Sequence, residues 1–362
     1  DEKSCVQVNG DEVIFLAKVP SLGYKTYYLV EGEGTEKNST SIVENNNTLE
    51  NEFFRIEIEK ESGTIKSLYD KTAERFIIQK NRFPYTKPVF SNLLQVIYEL
   101  PHDMSAWIIG EISQTENLIR DAKAELIETG PVRSTVKITH KFRKSEITQL
   151  LSLCKGVPQL NFKTIINWKE ISDEKTEAPM LKVSFTPILG NSKATFEVPF
   201  GYIVRTADGT EVPALRWVDI SDDEYGFSLI NDSKYGFNVK GNTVGMTLVR
   251  TSYSPDPRPD QKIHEIKYSI YPHKNSWKEA LTYRKGYEVN HPLKTFVVTE
   301  QFDTKEYASE ETSFLQVKPD NIIMSGVKLA EDSKDNIVRI YQATGSGTEA
   351  ELTFKFNIQK AS

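Results

Sequence analysis

Between Tyr225 and Ile270 the chain alternates apolar and polar residues in short bursts, each broken by turn formers. A period of two leaves little open to such a segment except antiparallel sheet. Gly226 to Ile230, Phe237 to Lys240 and Val244 to Val249 read as strands joined by hairpins, and Ile263, Ile266, Tyr268 and Ile270 mark a returning strand. The connections hold the unusual chemistry. Asn231, Asp232, Ser233 and Lys234 crowd one turn, and Ser254 to Gln261 forms a second loop stiffened by Pro255, Pro257 and Pro259. After Pro272 comes one helix signal. Ser276 with Glu279 three residues on forms a capping box, and Trp277, Leu281 and Arg284 repeat at helical spacing, which predicts a short helix over 276–287.

The same period recurs along the chain. Phe54, Ile56 and Ile58 alternate up to a Glu61-Ser62-Gly63 turn, and Ile65 and Leu68 return as the second arm of a hairpin. Further strands are predicted at Asn92 to Glu99, Val132 to Phe142, Ile147 to Cys154, Leu160 to Trp168, Leu181 to Phe185, Phe196 to Val198, Tyr202 to Val204 and Leu215 to Ile220. So many short strands with almost no helix define an all-β protein, a large antiparallel sandwich. Polar stretches at Gly32 to Thr48 and Phe302 to Thr312 divide it. Residues 1–46 are expected to be the end of a small β domain plus a linker, with Val13 to Val19 and Tyr24 to Val30 as strands whose sheet continues upstream. Residues 47–300 form the main sandwich, closing on an apolar run at Thr295 to Thr299. Residues 301–362 form a small β-sandwich with Gly345 to Gly347 as a hairpin turn.

At 362 residues the chain exceeds the size, about 250 to 300 residues, at which single cores stop growing. A net charge of -6 with interspersed signs offers no basic stripe for nucleic acid. No apolar run approaches the roughly 20 residues that span a bilayer, so neither nucleic acid nor membrane is an expected partner. Cys5 and Cys154 are too few for a disulfide framework and are expected as buried free thiols, which fits a cytoplasmic location.

None of the five histidines, His102, His140, His264, His273 and His291, shares ligand spacing with another. No nucleophile elbow, phosphate loop or dinucleotide fingerprint occurs. Two clusters remain. In Tyr98 to Trp107 a strand end leads into a loop carrying Glu99, His102, Asp103, Ser105 and Trp107. Carboxylates that accept from hydroxyls and an indole that covers a sugar's C–H face suit carbohydrate recognition, whereas in the plainer reading Trp107 anchors the loop in the core. In Asn231 to Gly236 the polar groups either converge on a cleft or close an Asx-turn.

The segments LENEFFRIEIEKESGTIKSLYDK, NLLQVIYELPHDMSAW, EVPALRWVDISDDEYGFSLINDSKYGFNVKGNTVGMTLVRT and SPDPRPDQKIHEIKYSIYPH, in that order, resemble the C-terminal β region of the family 38 glycoside hydrolases, the α-mannosidases. The resemblance implies a galactose-mutarotase-like supersandwich flanked by smaller β-sandwich pieces. It also implies a zinc-dependent retaining hydrolase whose metal ligands and nucleophile lie on an N-terminal barrel. None of the barrel motifs occurs here, so the resemblance implies that zinc belongs to the missing N-terminal domain and that this segment alone is inactive. Its expected partners are that barrel and a mannose-containing oligosaccharide, with a homo-oligomer left open. Ser105 and Ile109 stand where relatives commonly carry acids, while Asn231, Asp232, Lys234, Tyr235 and Gly236 keep the family pattern of a cleft-lining loop. The expected cleft residues are Asp103, Trp107, Asn231, Asp232, Lys234 and Tyr235. The alternatives are a stand-alone carbohydrate-binding or assembly module, and a mutarotase-like epimerase using a histidine base such as His102, His140 or His264.

Overall fold

The computed structural model describes residues 4–30, 47–81, 87–298 and 309–360. Three antiparallel sheets build the body. The nine-stranded sheet runs, in spatial order, Lys123–Glu128, Arg133–Phe142, Ser145–Cys154, Leu160–Asn167, Ile263–Lys274, Tyr225–Asn231, Trp217–Ser221, Lys193–Val198 and Gly201–Arg205. The six-stranded sheet runs Val212–Pro213, Gly236–Lys240, Thr243–Arg250, Ala178–Phe185, Leu93–Glu99 and Ile112–Asn117. A four-stranded meander, Thr48–Glu50, Phe54–Ile58, Ile65–Asp70 and Arg75–Gln79, completes the set.

All three sheets feed one core. Ile56 and Leu68 from the meander, Leu94, Val183 and Met246 from the six-stranded sheet, and Val136, Leu151 and Ile270 from the nine-stranded sheet belong to a single buried cluster. Phe162 stacks on Tyr268 at 4.8 Å, and Phe185 of the other large sheet meets Phe162 edge-on at 5.6 Å. Each such side chain contributes roughly 1.5–3 kcal/mol relative to exposure. Alternation decides which residues take part. In Arg133–Phe142 the side chains of Ser134, Val136, Ile138 and His140 are buried while Arg133, Lys137 and Lys141 are not.

Trp217–Ser221 and Tyr225–Asn231 are buried along their whole length. A second apolar cluster explains this: Trp217, Ile230 and Tyr271 on the outer face of the nine-stranded sheet pack with Trp277, Tyr283, Ile323 and Ala343. Among the described residues the one helix, α1 (Thr282–Asn290), lies in this layer and starts later than the capping box suggests. Glu279 does accept from the Ser276 N–H at 3.1 Å and from its hydroxyl at 2.9 Å, but these bonds close a turn. Leu281 at φ 55° interrupts the backbone before helical geometry begins. Gly286 allows the approach of α1 to the sheet, since a Cβ there would sit 2.9 Å from the Trp217 indole.

Several local expectations are corrected. Val6–Asn9 pairs with Glu12–Phe15, so the first hairpin forms earlier in the chain than the apolar runs suggest. Gly23–Lys25 pairs with Glu311–Ser313 instead. Gly345 to Gly347 is no hairpin turn, because Asn336–Gln342 pairs with Ile322–Leu329 and Glu351–Phe354 pairs with Leu315–Lys318. Residues 295–298 form no strand, and Phe296 is 83% exposed; Thr299 and most of both polar stretches lie outside the described residues. Cys5 and Cys154 are free and only half-buried, and burial raises the pKa of the Cys154 thiol.

Candidate functional site

The sequence-marked loops leave the same end of the sandwich. Glu99 and Arg250 end the strands on either side of Ala178–Phe185 in the six-stranded sheet, opposite Ala178 and Met180 respectively. Trp168, just beyond the Leu160–Asn167 strand, donates from its indole N–H to Thr251 Oγ1 at 2.9 Å, and Ser172 Oγ donates to the Thr251 carbonyl at 2.6 Å. These bonds tie the two large sheets together at that end. The Pro-rich loop then runs between the clusters, from Ser254, whose carbonyl accepts from the Ala106 N–H, to Asp260, which interacts electrostatically with Lys234.

Around Trp107 the polar groups are turned inward. Glu99, 2% exposed, accepts from Arg250 Nη2 at 2.7 and 2.9 Å and from the Gly110 N–H at 3.0 Å, and its Oε1 also faces His102 Nε2. Burial works against the charge on Glu99, but the hydrogen bonds from Arg250, Gly110 and His102 outweigh it and hold the carboxyl below its usual pKa. Arg250 Nη2 also donates to the Ile108 carbonyl. Ser105 is buried and its Oγ accepts from the Tyr253 and Ser254 N–H groups, both at 3.0 Å. The Tyr253 hydroxyl accepts from the His102 N–H at 2.9 Å and donates to the His102 carbonyl at 2.7 Å. On this base Asp103 is exposed and Trp107 is 63% exposed, flanked by exposed Met104, Ile108 and Ile109. Trp107 therefore does not anchor the loop; Ser105 and Glu99 do.

Around Asn231 the order is reversed. Asn231 is 1% exposed. Its Oδ1 accepts from the Ser233 N–H at 2.9 Å and the Lys234 N–H at 2.5 Å, and its Nδ2 donates to the Leu215 carbonyl at 2.9 Å. This is the Asx-turn, and it uses the side chain inside the fold. Asp232 is half-buried, with its carboxylate accepting from the Lys267 N–H at 3.2 Å and Ser233 Oγ at 2.8 Å. Lys234 is half-buried, and burial lowers its ammonium pKa against the opposing pull of Asp260 and Asp232. Tyr235 is exposed. The end of the sandwich thus presents Asp103, Trp107 and Tyr235 outward, with Asp232 and Lys234 partly accessible on the other side of the Pro-rich loop.

Arg250 and Tyr253 were not singled out from the sequence. Their partners lie 142 to 151 residues away, so no local spacing marks them. Among the described residues no group of three or more His, Cys, Asp or Glu is placed to hold a metal ion. His264 Nε2 faces the Asp260 carbonyl at 2.8 Å, and burial pushes the pKa of His140 down to about 4. These residues do not fit a zinc site. Elsewhere, a 210 Å³ cleft lined by Phe53, Asp70, Tyr271, His273 and Lys274 has its acid engaged, since Asp70 accepts from Thr72, Ala73 and Tyr225.

The described residues thus form an all-antiparallel β module with a loop-built polar and aromatic end. Residues 49–258 match the glycosyl hydrolases family 38 C-terminal domain, and residues 321–362 match the family 38 C-terminal beta sandwich domain. The chain belongs to the glycoside hydrolase family 38 C-terminal domain family. It is 28% identical over 320 residues to alpha-mannosidase G of Dictyostelium discoideum, covering 84% of this chain and 28% of that protein. It is 29% identical over 228 residues to human alpha-mannosidase 2C1, covering 60% of this chain and 21% of the relative. The chain therefore spans less than a third of the length of these curated relatives. A crystal structure of a glycosyl hydrolase family 38 protein from Enterococcus faecalis superimposes with a TM-score of 0.76 at 16% identity, over 98% of this chain and 46% of that one. That likeness supports the fold.

Proposed function

We propose that this chain is the C-terminal portion of a zinc-dependent retaining α-mannosidase that hydrolyses α-linked mannose, and that it serves as scaffold and substrate-cleft wall. In a retaining glycosidase one carboxylate attacks the anomeric carbon while another acts as acid and then base. On this reading both carboxylates, and the zinc, belong to the catalytic domain of the longer protein. A mannose-containing oligosaccharide would lie between that domain and the loop end of the sandwich.

The observation that carries the reading is the family match over residues 49–258, which contains or borders both loops. Its physical support is that Trp107 and Tyr235 offer exposed aromatic faces while Asp103, Asp232 and Lys234 add polar groups at the same end. Aromatic plates beside hydroxyl-binding groups are what a pyranose requires. An enzyme comprising this chain and its catalytic domain, carrying Asp232→Ala and Lys234→Ala together, is expected to lose about tenfold or more in kcat/KM on α-mannosides. Unchanged kinetics would remove the cleft assignment.

A stand-alone carbohydrate-binding module would share the exposed Trp107 and Asp103. It differs in predicting that this chain alone binds mannose or mannobiose in a calorimetric titration. The epimerase reading has less support, because an epimerase needs an accessible histidine beside a free carboxylate. His140 is buried, His264 faces a backbone carbonyl, and the Glu99 carboxylate facing His102 is already occupied by Arg250.

A further inference from the structure

We infer that His102 is a charge-dependent latch on the loop that presents Trp107. Both of its ring nitrogens face acceptors: Nε2 meets the Glu99 carboxylate, and Nδ1 lies 2.6 Å from the Asp103 carbonyl. A neutral imidazole carries one N–H and can satisfy only one of these oxygens, whereas the imidazolium donates to both. The site therefore selects the protonated ring on geometry alone.

The loop closes on this ring from both sides. The Asp103 bond fixes its outgoing limb. On the returning limb, Gly110 lies so close that a Cβ there would stand 2.4 Å from His102 Cδ2, and its N–H donates to the same Glu99 carboxylate. Trp107 sits between these limbs. The charged and titratable groups around His102 are Glu99 on its own strand end, Arg250 from the strand two places away in the six-stranded sheet, Tyr253 from the segment after it, which holds the His102 backbone, and Asp103 through its carbonyl. The Glu99 hydrogen bond is the largest influence and raises the His102 pKa. Burial opposes it, the Asp103 carbonyl and the Glu99 charge add to it, and the Arg250 charge works against it.

The sign follows from that direction. A histidine whose folded pKa is raised contributes stability fully below its unfolded value of about 6.5, and that contribution is lost as pH climbs through the folded value. The His102 side chain is 20% exposed, so its proton can leave to solvent. Once it has left, a ring lone pair faces either the Asp103 carbonyl or the Glu99 carboxylate, and one limb of the loop is released. The Ser105 bonds to Tyr253 and Ser254 contain no titrating proton and remain as the hinge.

Tryptophan fluorescence reads this loop selectively. Of the four tryptophans, Trp168, Trp217 and Trp277 are buried and Trp107 is exposed. In the full chain, the acrylamide quenching constant is expected to rise by about 1.5- to 2-fold as pH climbs from the ordinary histidine value of about 6.5 through the raised folded value. Its midpoint should coincide with that of the His102 C2–H resonance in proton NMR, above the ordinary value. Trp107→Phe should abolish the pH-dependent part, and His102→Gln should give a flat profile. A flat wild-type profile overturns the latch, as does a wild-type profile retained in His102→Gln. Should His102→Gln fail to fold, the NMR midpoint of the wild type decides, and a value at or below the ordinary one overturns the inference. The latch does not depend on mannoside binding. A flat profile would leave the cleft assignment standing, and unchanged kinetics in the Asp232/Lys234 variant would leave the latch standing.

Discussion

The Trp107 loop and the Asn231 turn look alike in sequence, each a polar cluster following a strand, yet they are built in opposite ways. Around Trp107, the residues before the indole are used for anchoring: Glu99, His102 and Ser105 bind Arg250, Tyr253 and Ser254, and the apolar tip faces outward. Around Asn231, the first residue of the cluster is itself the anchor, and the residues after it reach the surface. The difference shows that polar density marks a loop that must be held, without saying which of its residues do the holding. A buried acceptor with several donors is the holder, because leaving it unpaired costs far more than an exposed contact gains.

The contrast can be broken or sharpened experimentally, starting with the largest effect. Arg250→Ala removes the guanidinium from the buried Glu99 carboxylate, leaving it the His102 ring and the Gly110 N–H, and is expected to cost about 3–5 kcal/mol in urea unfolding. A loss below about 1 kcal/mol would mean that the ion pair does not anchor the Trp107 loop. Asn231→Ala strands backbone groups of the turn together with the Leu215 carbonyl, and about 2–3 kcal/mol should be lost. A neutral result there would return Asn231 to the cleft.

Acid should separate the two loops further. With its folded pKa lowered, Glu99 contributes stability that is complete above its ordinary value of 4.5 and is lost as pH falls through the folded value. Glu99→Gln should flatten that part of the acid-unfolding profile, whereas Asn231→Ala should leave its shape unchanged. The smallest effect belongs to Trp107→Ala. An indole 63% exposed supports little of the fold, so stability should change by no more than about 0.5 kcal/mol. A thermal shift larger than that would make Trp107 part of the anchor.

Much of the fold was legible because alternation is a local property. The runs predicted at Val132 to Phe142 and Ile147 to Cys154 fall on the Arg133–Phe142 and Ser145–Cys154 strands, which pair with each other directly. Where the signal failed, a distant partner had decided the outcome. The strand at Gly23–Lys25 is completed by Glu311–Ser313, and Ile112–Asn117, exposed along its whole length, has no buried face to betray it. The start of α1 was misplaced because Ser276 and Glu279 satisfy each other in a turn, and Leu281 enters the left-handed region before the helix packs on Trp217. Of the candidate site, the two loops were visible from their residues, but the inward turn of Asn231 and the outward turn of Trp107 were not.

By itself, then, the sequence determined that this protein is antiparallel sheet around a shared apolar core, since a period of two sorts side chains onto faces whatever the neighbours are. Only the tertiary structure decided which polar residues support the loops and which meet solvent. That choice rests on Arg250 reaching Glu99 and Tyr253 reaching His102 across 151 positions, a proximity that chain folding creates and residue order does not record.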